Sequence, residues 1–322
     1  MKRILALALC AMTTAPLFAA NAQTLAAARK LAATANQSAT ATVEAERLPD
    51  ALAVEMLQKL KAKKNGVGAS AVAERTRRGF VIPAAGSVAG GGGALFFRSD
   101  VTLFNNDDDD QYVMVLWLPA GSSTPQIFRL VNPLPAESAP VTVVDFVGTA
   151  LKVSGLGSLV FVPVDQNGEL DEDAALDGFS RIWTKQPGST GTVSQPFPGV
   201  DAENLDDQVG AIALGLRHDA NYRTNFGIVN LDDKPHNFIL VVVGERAENE
   251  LLVTVPAMGM IQQAIPAGDY GAATVLIIND RDDFDPDYSW IGYASSTDNV
   301  TGDGWVSIAG AALAPEDIPA GN

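Results

Sequence analysis

Two stretches of this chain decide its reading: "FFRSDVTLFNNDDDD", Phe96 to Asp110, and "NYRTNFGIVNLDD", Asn221 to Asp233. Each runs aromatic, arginine, small hydroxyl residue, Asp or Asn, apolar run, asparagine, acids. Arg98 corresponds to Arg223 and Asn105 to Asn230, both at a spacing of 125 residues. The apolar run predicts a strand, and the Asn/Asp cluster predicts a turn, because those side chains bond back to local backbone. "QYVMVLWLPAG" and "HNFILVVVG" then read as return strands, so each stretch opens a hairpin with an acidic tip.

Later segments correspond more loosely. "GLGSLVFVPVDQNG" parallels "DYGAATVLIINDRD", and "GFSRIWTKQPGSTGTVSQPFPGV" parallels "IGYASSTDNVTGDGWVSIAGA". A unit written twice predicts a mainly β chain: two tandem immunoglobulin-like antiparallel β-sandwich units behind a short helical N-terminal segment. The expected boundaries are 79–204 for the first unit and 205–322 for the second, with the polar stretch "VDAENLDDQ", Val200 to Gln208, at the join. "GSVAGGGG", Gly86 to Gly93, reads as a flexible loop. No Lys-Ser/Thr follows it, which excludes a phosphate-binding loop.

Residues 1–22 have the form of a secretory signal peptide: Lys2 and Arg3, an apolar run from Ile4, and Ala20-Asn21-Ala22 before Gln23. The only cysteine, Cys10, lies inside it and follows Leu9, which disfavours lipoprotein processing. An exported, periplasmic or extracellular chain without disulfides is the expectation, and cysteine nucleophiles and cysteine–metal sites are excluded from its mature part. Residues 23–78 form a basic leader with helical character, net +5, whose stretch "LPDALAVEMLQKLKAKKNG" opens at Pro49-Asp50 and stops at Asn65-Gly66. The chain carries −16 in all, −18 without Lys2 and Arg3, so the body beyond residue 78 carries −23. Such a body repels phosphate backbones, which argues against nucleic acid as a partner.

The motif around Arg98 and Arg223 resembles a repeat of secreted bacterial proteins that reads roughly "WRTDLVLYNPG". Phe97 and Tyr222 stand in place of its Trp, and acids in place of its Pro-Gly turn. Covering residues 80–313, the resemblance implies immunoglobulin-type sandwiches exported by bacteria, mostly of unassigned role. It carries over no catalytic residue.

Arg98 and Arg223 read as structural arginines pairing an acid or loop carbonyls. Asn105 and Asn230 read as caps of the strand-to-turn switch. Two acidic clusters sit at corresponding points. One holds Asp165, Asn167, Asp171 and Asp173; the other holds Asp280, Asp282, Asp283, Asp285 and Asp287. Solvated loops are the plainer reading of both. The chemically specific one is a weak calcium site at Asp280–Asp287, since calcium takes oxygen ligands of this kind. Catalytic signatures are lacking. His218 and His236 sit in no metalloprotease motif, and no Gly-x-Ser-x-Gly elbow occurs. Trp117, Trp183, Trp290 and Trp305 read as core or rim packing, with a sugar-stacking platform as the alternative. The chain therefore reads as a non-catalytic binding or structural protein with a protein or glycan partner. The alternative is a secreted carbohydrate binder or carboxylate-based hydrolase.

Overall fold

The computed structural model describes residues 42–64, 79–90, 93–136, 140–201, 210–280 and 289–313. The fold is mainly β, and its named strands pair antiparallel throughout. The signal-peptide reading, residues 202–208 of the join, and Asp282, Asp283, Asp285 and Asp287 lie outside the described residues.

Strand β1 (Ala45–Arg47) and helix α1 (Ala51–Lys64) come first. Nine strands follow: β2 (Phe80–Gly90), β3 (Leu95–Asn105), β4 (Tyr112–Pro119), β5 (Gln126–Leu130), β6 (Val141–Val143), β7 (Gly155–Val164), β8 (Leu176–Lys185), β9 (Thr192–Pro198) and β10 (Val200–Asp201). A single helical turn, α2 (Phe146–Thr149), lies between β6 and β7. The remaining nine are β11 (Gly210–His218), β12 (Tyr222–Asn230), β13 (His236–Gly244), β14 (Glu248–Val255), β15 (Gly259–Ala264), β16 (Gly271–Asn279), β17 (Trp290–Asp298), β18 (Gly304–Ile308) and β19 (Gly310–Leu313).

The two sets of nine share one pairing scheme. In the first, β5-β4-β7-β2 lie side by side, β3-β8-β9 continue from β2, β6 joins β3, and β10 joins β2. In the second, β14-β13-β16-β11-β19 form one sheet and β15-β12-β17-β18 another. Each strand β2 to β10 thus has its counterpart nine strands later. The difference lies in β2, which is long enough to pair β7 and then β3, so it joins its two layers into one ten-stranded sheet. Both β2 and β11 carry a bulge, between Ile82 and Ala85 and between Ala213 and Leu216. Extra residues there re-aim the strand toward the second layer.

Side chains alternate across these strands as strand geometry requires. In the second set Phe238, Leu240 and Val242 of β13 meet Phe226 and Ile228 of β12 and Trp290 of β17 in one core. The Phe238 and Trp290 rings touch edge-on at 5.0 Å, tying the two sheets together. In the first set Phe80 of β2 and Phe161 of β7, paired neighbours in one layer, stack at 4.8 Å between centroids, with Phe146 of α2 against Phe161.

Of the Gly86–Gly93 stretch, expected as a flexible loop, Gly86 to Gly90 instead belong to β2. A Cβ on Gly86 would lie 2.9 Å from the Gly155 carbonyl oxygen, and one on Gly90 would lie 2.6 Å from the Phe97 ring. Glycine serves close approach of neighbours here, rather than flexibility. His236 is the first residue of β13 and is buried.

Candidate binding face

The repeated asparagines occupy matching positions with matching bonds. Asn105 Nδ2 donates to the carbonyls of Asp109 (2.8 Å) and Leu134 (3.1 Å), and its Oδ1 accepts from Asp107 N (3.0 Å). Asn230 Nδ2 donates to Lys234 (2.7 Å) and Pro256 (3.1 Å), and its Oδ1 accepts from Asp232 N (2.9 Å). Both are buried. They clamp the hairpin tips and are spent on structure.

Outward-facing residues distinguish the two sets. On β12 and β17, Val229, Ile291 and Tyr293 alternate with the core residues and turn away from their own core; with Met260 of β15 they pack into the first core instead. The Tyr293 ring meets Phe197 edge-on at 5.3 Å, and its hydroxyl donates to Gln262 Oε1 at 2.6 Å. Full burial pushes the Tyr293 phenol up, so it stays neutral. Gly121 N donates to Met260 O (2.8 Å), and Gln195 Nε2 reaches Ser296 O (3.2 Å). The outer face of the β15-β12-β17-β18 sheet is therefore docked on the first set, beside β2, β4 and β7.

The corresponding face of the first set points to solvent. Phe104 stands 125 residues before Val229, and Phe179 pairs Thr102 just as Tyr293 pairs Gly227. Phe179 is 40% exposed and Phe96 41%. Arg98 lies between rings, 4.6 Å from the Phe96 centroid and 5.4 Å from Trp183. Its Nε is 3.6 Å from Asp145 Oδ2. Asp100 Oδ1 accepts from Trp183 Nε1 (2.8 Å) and from Asp145 N (3.1 Å), and Asp100 Oδ2 is 3.8 Å from Arg181. Asp145 holds a left-handed backbone, φ 51°, and its Oδ1 caps Gly148 N. Aspartate tolerates that conformation better than most residues. A Cβ on Gly148 would come within 2.8 Å of both Ser87 Oγ and Asp145 Oδ2, so the cradle requires glycine.

Among the sequence-predicted residues, Arg98 joins this face, whereas Arg223 is exposed at a rim and donates to Asn299 Oδ1 (2.8 Å). Asp100, Asp145, Phe96 and Phe179 were not singled out from the sequence. The legible signal was the exposed register of Phe96, Arg98 and Asp100, which alternate on one side of a strand. Trp117 and Trp290 are core residues, Trp183 lies on the exposed face, and Trp305 Nε1 donates to Gly215 O (2.8 Å).

Asp165 and Asp171 bond within their own loop. Asp165 Oδ1 accepts from Asn167 N (2.8 Å) and Glu169 N (2.9 Å), and these N–H groups, Glu169's first, hold its carboxyl below the usual range. Asp171 Oδ1 accepts from Asp173 N (3.2 Å). Asp280 N donates to Asn237 O (3.0 Å). Among the described residues no group of three His, Cys, Asp or Glu is placed to hold a metal. No described helix is long and apolar enough to cross a membrane.

No protein-family model, curated protein or solved structure matches this chain.

Proposed function

We propose that the chain is an exported, non-catalytic binding or structural protein of two tandem immunoglobulin-like β-sandwich units, acting in the periplasm or outside the cell. The observation that carries this reading is the solvent-facing sheet surface of Phe96, Arg98, Trp183 and Phe179. Aromatic rings with an interleaved arginine are the residue types enriched at the energetic centres of protein interfaces. The carboxylates beside them already accept bonds from Trp183, Asp145 and Gly148, which suits a pre-organised surface better than proton transfer.

Carbohydrate binding is the second reading, favoured by the exposed rings, on which a sugar ring stacks. The test is retention. The chain and a Phe179→Ser/Trp183→Ala variant are immobilised, and envelope proteins, medium proteins and soluble polysaccharides are passed over each, with elution by calcium chelator and then by salt. A protein retained by the chain and lost by the variant supports the first reading. A retained polysaccharide moves the function to the second. Equal behaviour of chain and variant rejects the face as the binding surface.

A further inference from the structure

The molecule exposes two sheet faces that are the two leftover halves of an interface it already contains. Inside the chain, the outer face of the β15-β12-β17-β18 sheet packs on the outer face of the layer β5-β4-β7-β2. β4 is buried on both sides, with β15 against its Pro119 end and the Gly168 loop against Met114: Met114, Leu116 and Leu118 are as buried as the alternating Val113, Val115 and Trp117. Helix α1 completes the cover beside β5, burying Ala53, Met56 and Leu57.

Nothing equivalent covers β13 among the described residues. Phe238, Leu240 and Val242 are buried, yet Ile239 and Val241 are only half-buried and Val243 is 44% exposed. Leu252 of β14, opposite Ile239, is 61% exposed. On the other side Ile278 pairs Ile239 and Leu276 pairs Val241. These six residues form one continuous apolar outer face, edged by the exposed Glu248 and Glu250 of β14. Contiguous apolar surface of this kind marks an interaction site. Both described helices pack on the first set of strands, α1 on β5 and α2 on β2 and β3.

The counterpart of the docking face, on β3 and β8, is also uncovered among the described residues and carries Phe104, Phe179, Arg98 and Arg181. We infer that a second copy of this chain is the occupant: the β3–β8 face of one copy seats on the β13–β14–β16 face of the next, repeating between molecules the contact the chain makes within itself. The faces match by position: β3–β8 is the counterpart of β12–β17, and β13–β14–β16 is the counterpart of β4–β5–β7. They lie on different parts of the molecule, so the contact is head-to-tail. Such a contact is heterologous: each added copy leaves one free face of each kind at the ends, giving open chains, or a ring where the rotation closes. The inference rests on the proposed reading of the β3–β8 face as a binding surface.

Sedimentation velocity over a concentration series tests it. The wild-type chain should shift from one-copy species to two-copy and longer species as concentration rises. Phe179→Asp removes one face and Leu252→Glu the other, and each variant alone should sediment as a single copy. An equimolar mixture of the two should give a two-copy species and nothing longer, because each variant retains the face the other lacks. Recovery in the mixture also shows that both variants are folded. Phe179→Ser, which adds no charge, should reproduce the loss.

A wild-type chain that stays single at every concentration overturns the inference. So does assembly that survives both substitutions, which would place the contact elsewhere, for example on the open β14 edge. Two variants that each assemble only with the wild type and never with one another overturn it as well. A single-copy chain that still captures another protein through Phe179 and Trp183 refutes self-assembly while leaving the binding reading intact.

Discussion

Replacing Asn230 by alanine isolates the device that the repeat was built around. Asn230 is fully buried and closes three bonds: two carbonyls, of Lys234 and Pro256, and the Asp232 N–H. Alanine abandons all three backbone groups. Lys234 is exposed, so water satisfies its carbonyl at small cost. Asp232 is 3% exposed and Pro256 is half-buried, so their groups lose partners that water replaces poorly. At about 1–3 kcal/mol for each stranded buried group, Asn230→Ala should cost about 3 kcal/mol. Asn105→Ala should cost slightly less, about 2 kcal/mol, because Asp109 and Pro135, two of its acceptors, are exposed. The adjacent Asn106 is exposed, and Asn106→Ala should change stability by less than about 0.5 kcal/mol. Urea unfolding followed by far-UV circular dichroism, with slopes compared, reads all three. A loss below about 1 kcal/mol for Asn230→Ala would refute the clamp reasoning. Equal losses for Asn106→Ala and Asn105→Ala would refute it too.

Other substitutions address the remaining links. A Cβ on Gly227 would overlap the Tyr293 ring, so Gly227→Ala should displace that ring from Phe197, lower the melting temperature by several degrees, and speed protease cleavage; an unchanged melting temperature would contradict it. Leu57→Asp, placing a charge where Leu57 of α1 is 5% exposed, should open α1 to proteolysis while leaving the β core intact by circular dichroism. His218 Nδ1 accepts the Thr224 N–H (3.0 Å), and burial pushes its pKa below the usual 6.5. The unfolded chain therefore takes up this proton first. The His218 contribution is fully present above about pH 6.5 and is lost as pH falls from there toward the lowered folded value. Melting curves at pH 7.5 and 5.5 should differ by less in His218→Asn than in the wild type. Arg98→Ala should cost stability about 1 kcal/mol or less, since its contacts are half-exposed, yet it should weaken binding at the β3–β8 face.

Much of this architecture was legible because its signals are local. Asn105 and Asn230 close their turns with bonds to backbone a few residues away, and the acids beside them point the tip outward. The paired spacing then exposed the repeat. What stayed hidden depends on which side of a strand meets which neighbour. Leu116 and Val241 occupy corresponding places in equally apolar strands, but only Leu116 is covered, because covering is decided by a sheet more than 100 residues away in sequence. The run Gly86 to Gly90 misled for a related reason: without partners in view, glycine for close packing and glycine for flexibility read alike. Asp145 gave no signal at all, since its role depends on meeting Arg98 and Asp100 across the sheet.

Hydroxyl-radical footprinting across a concentration series reads both free faces in one sample. Phe179 and Leu252 should lose reactivity together as the chain is concentrated, while Val300, 84% exposed and on neither face, stays constant. Phe179 and Leu252 that remain equally reactive at every concentration, or protection of one without the other, would contradict head-to-tail assembly through these faces.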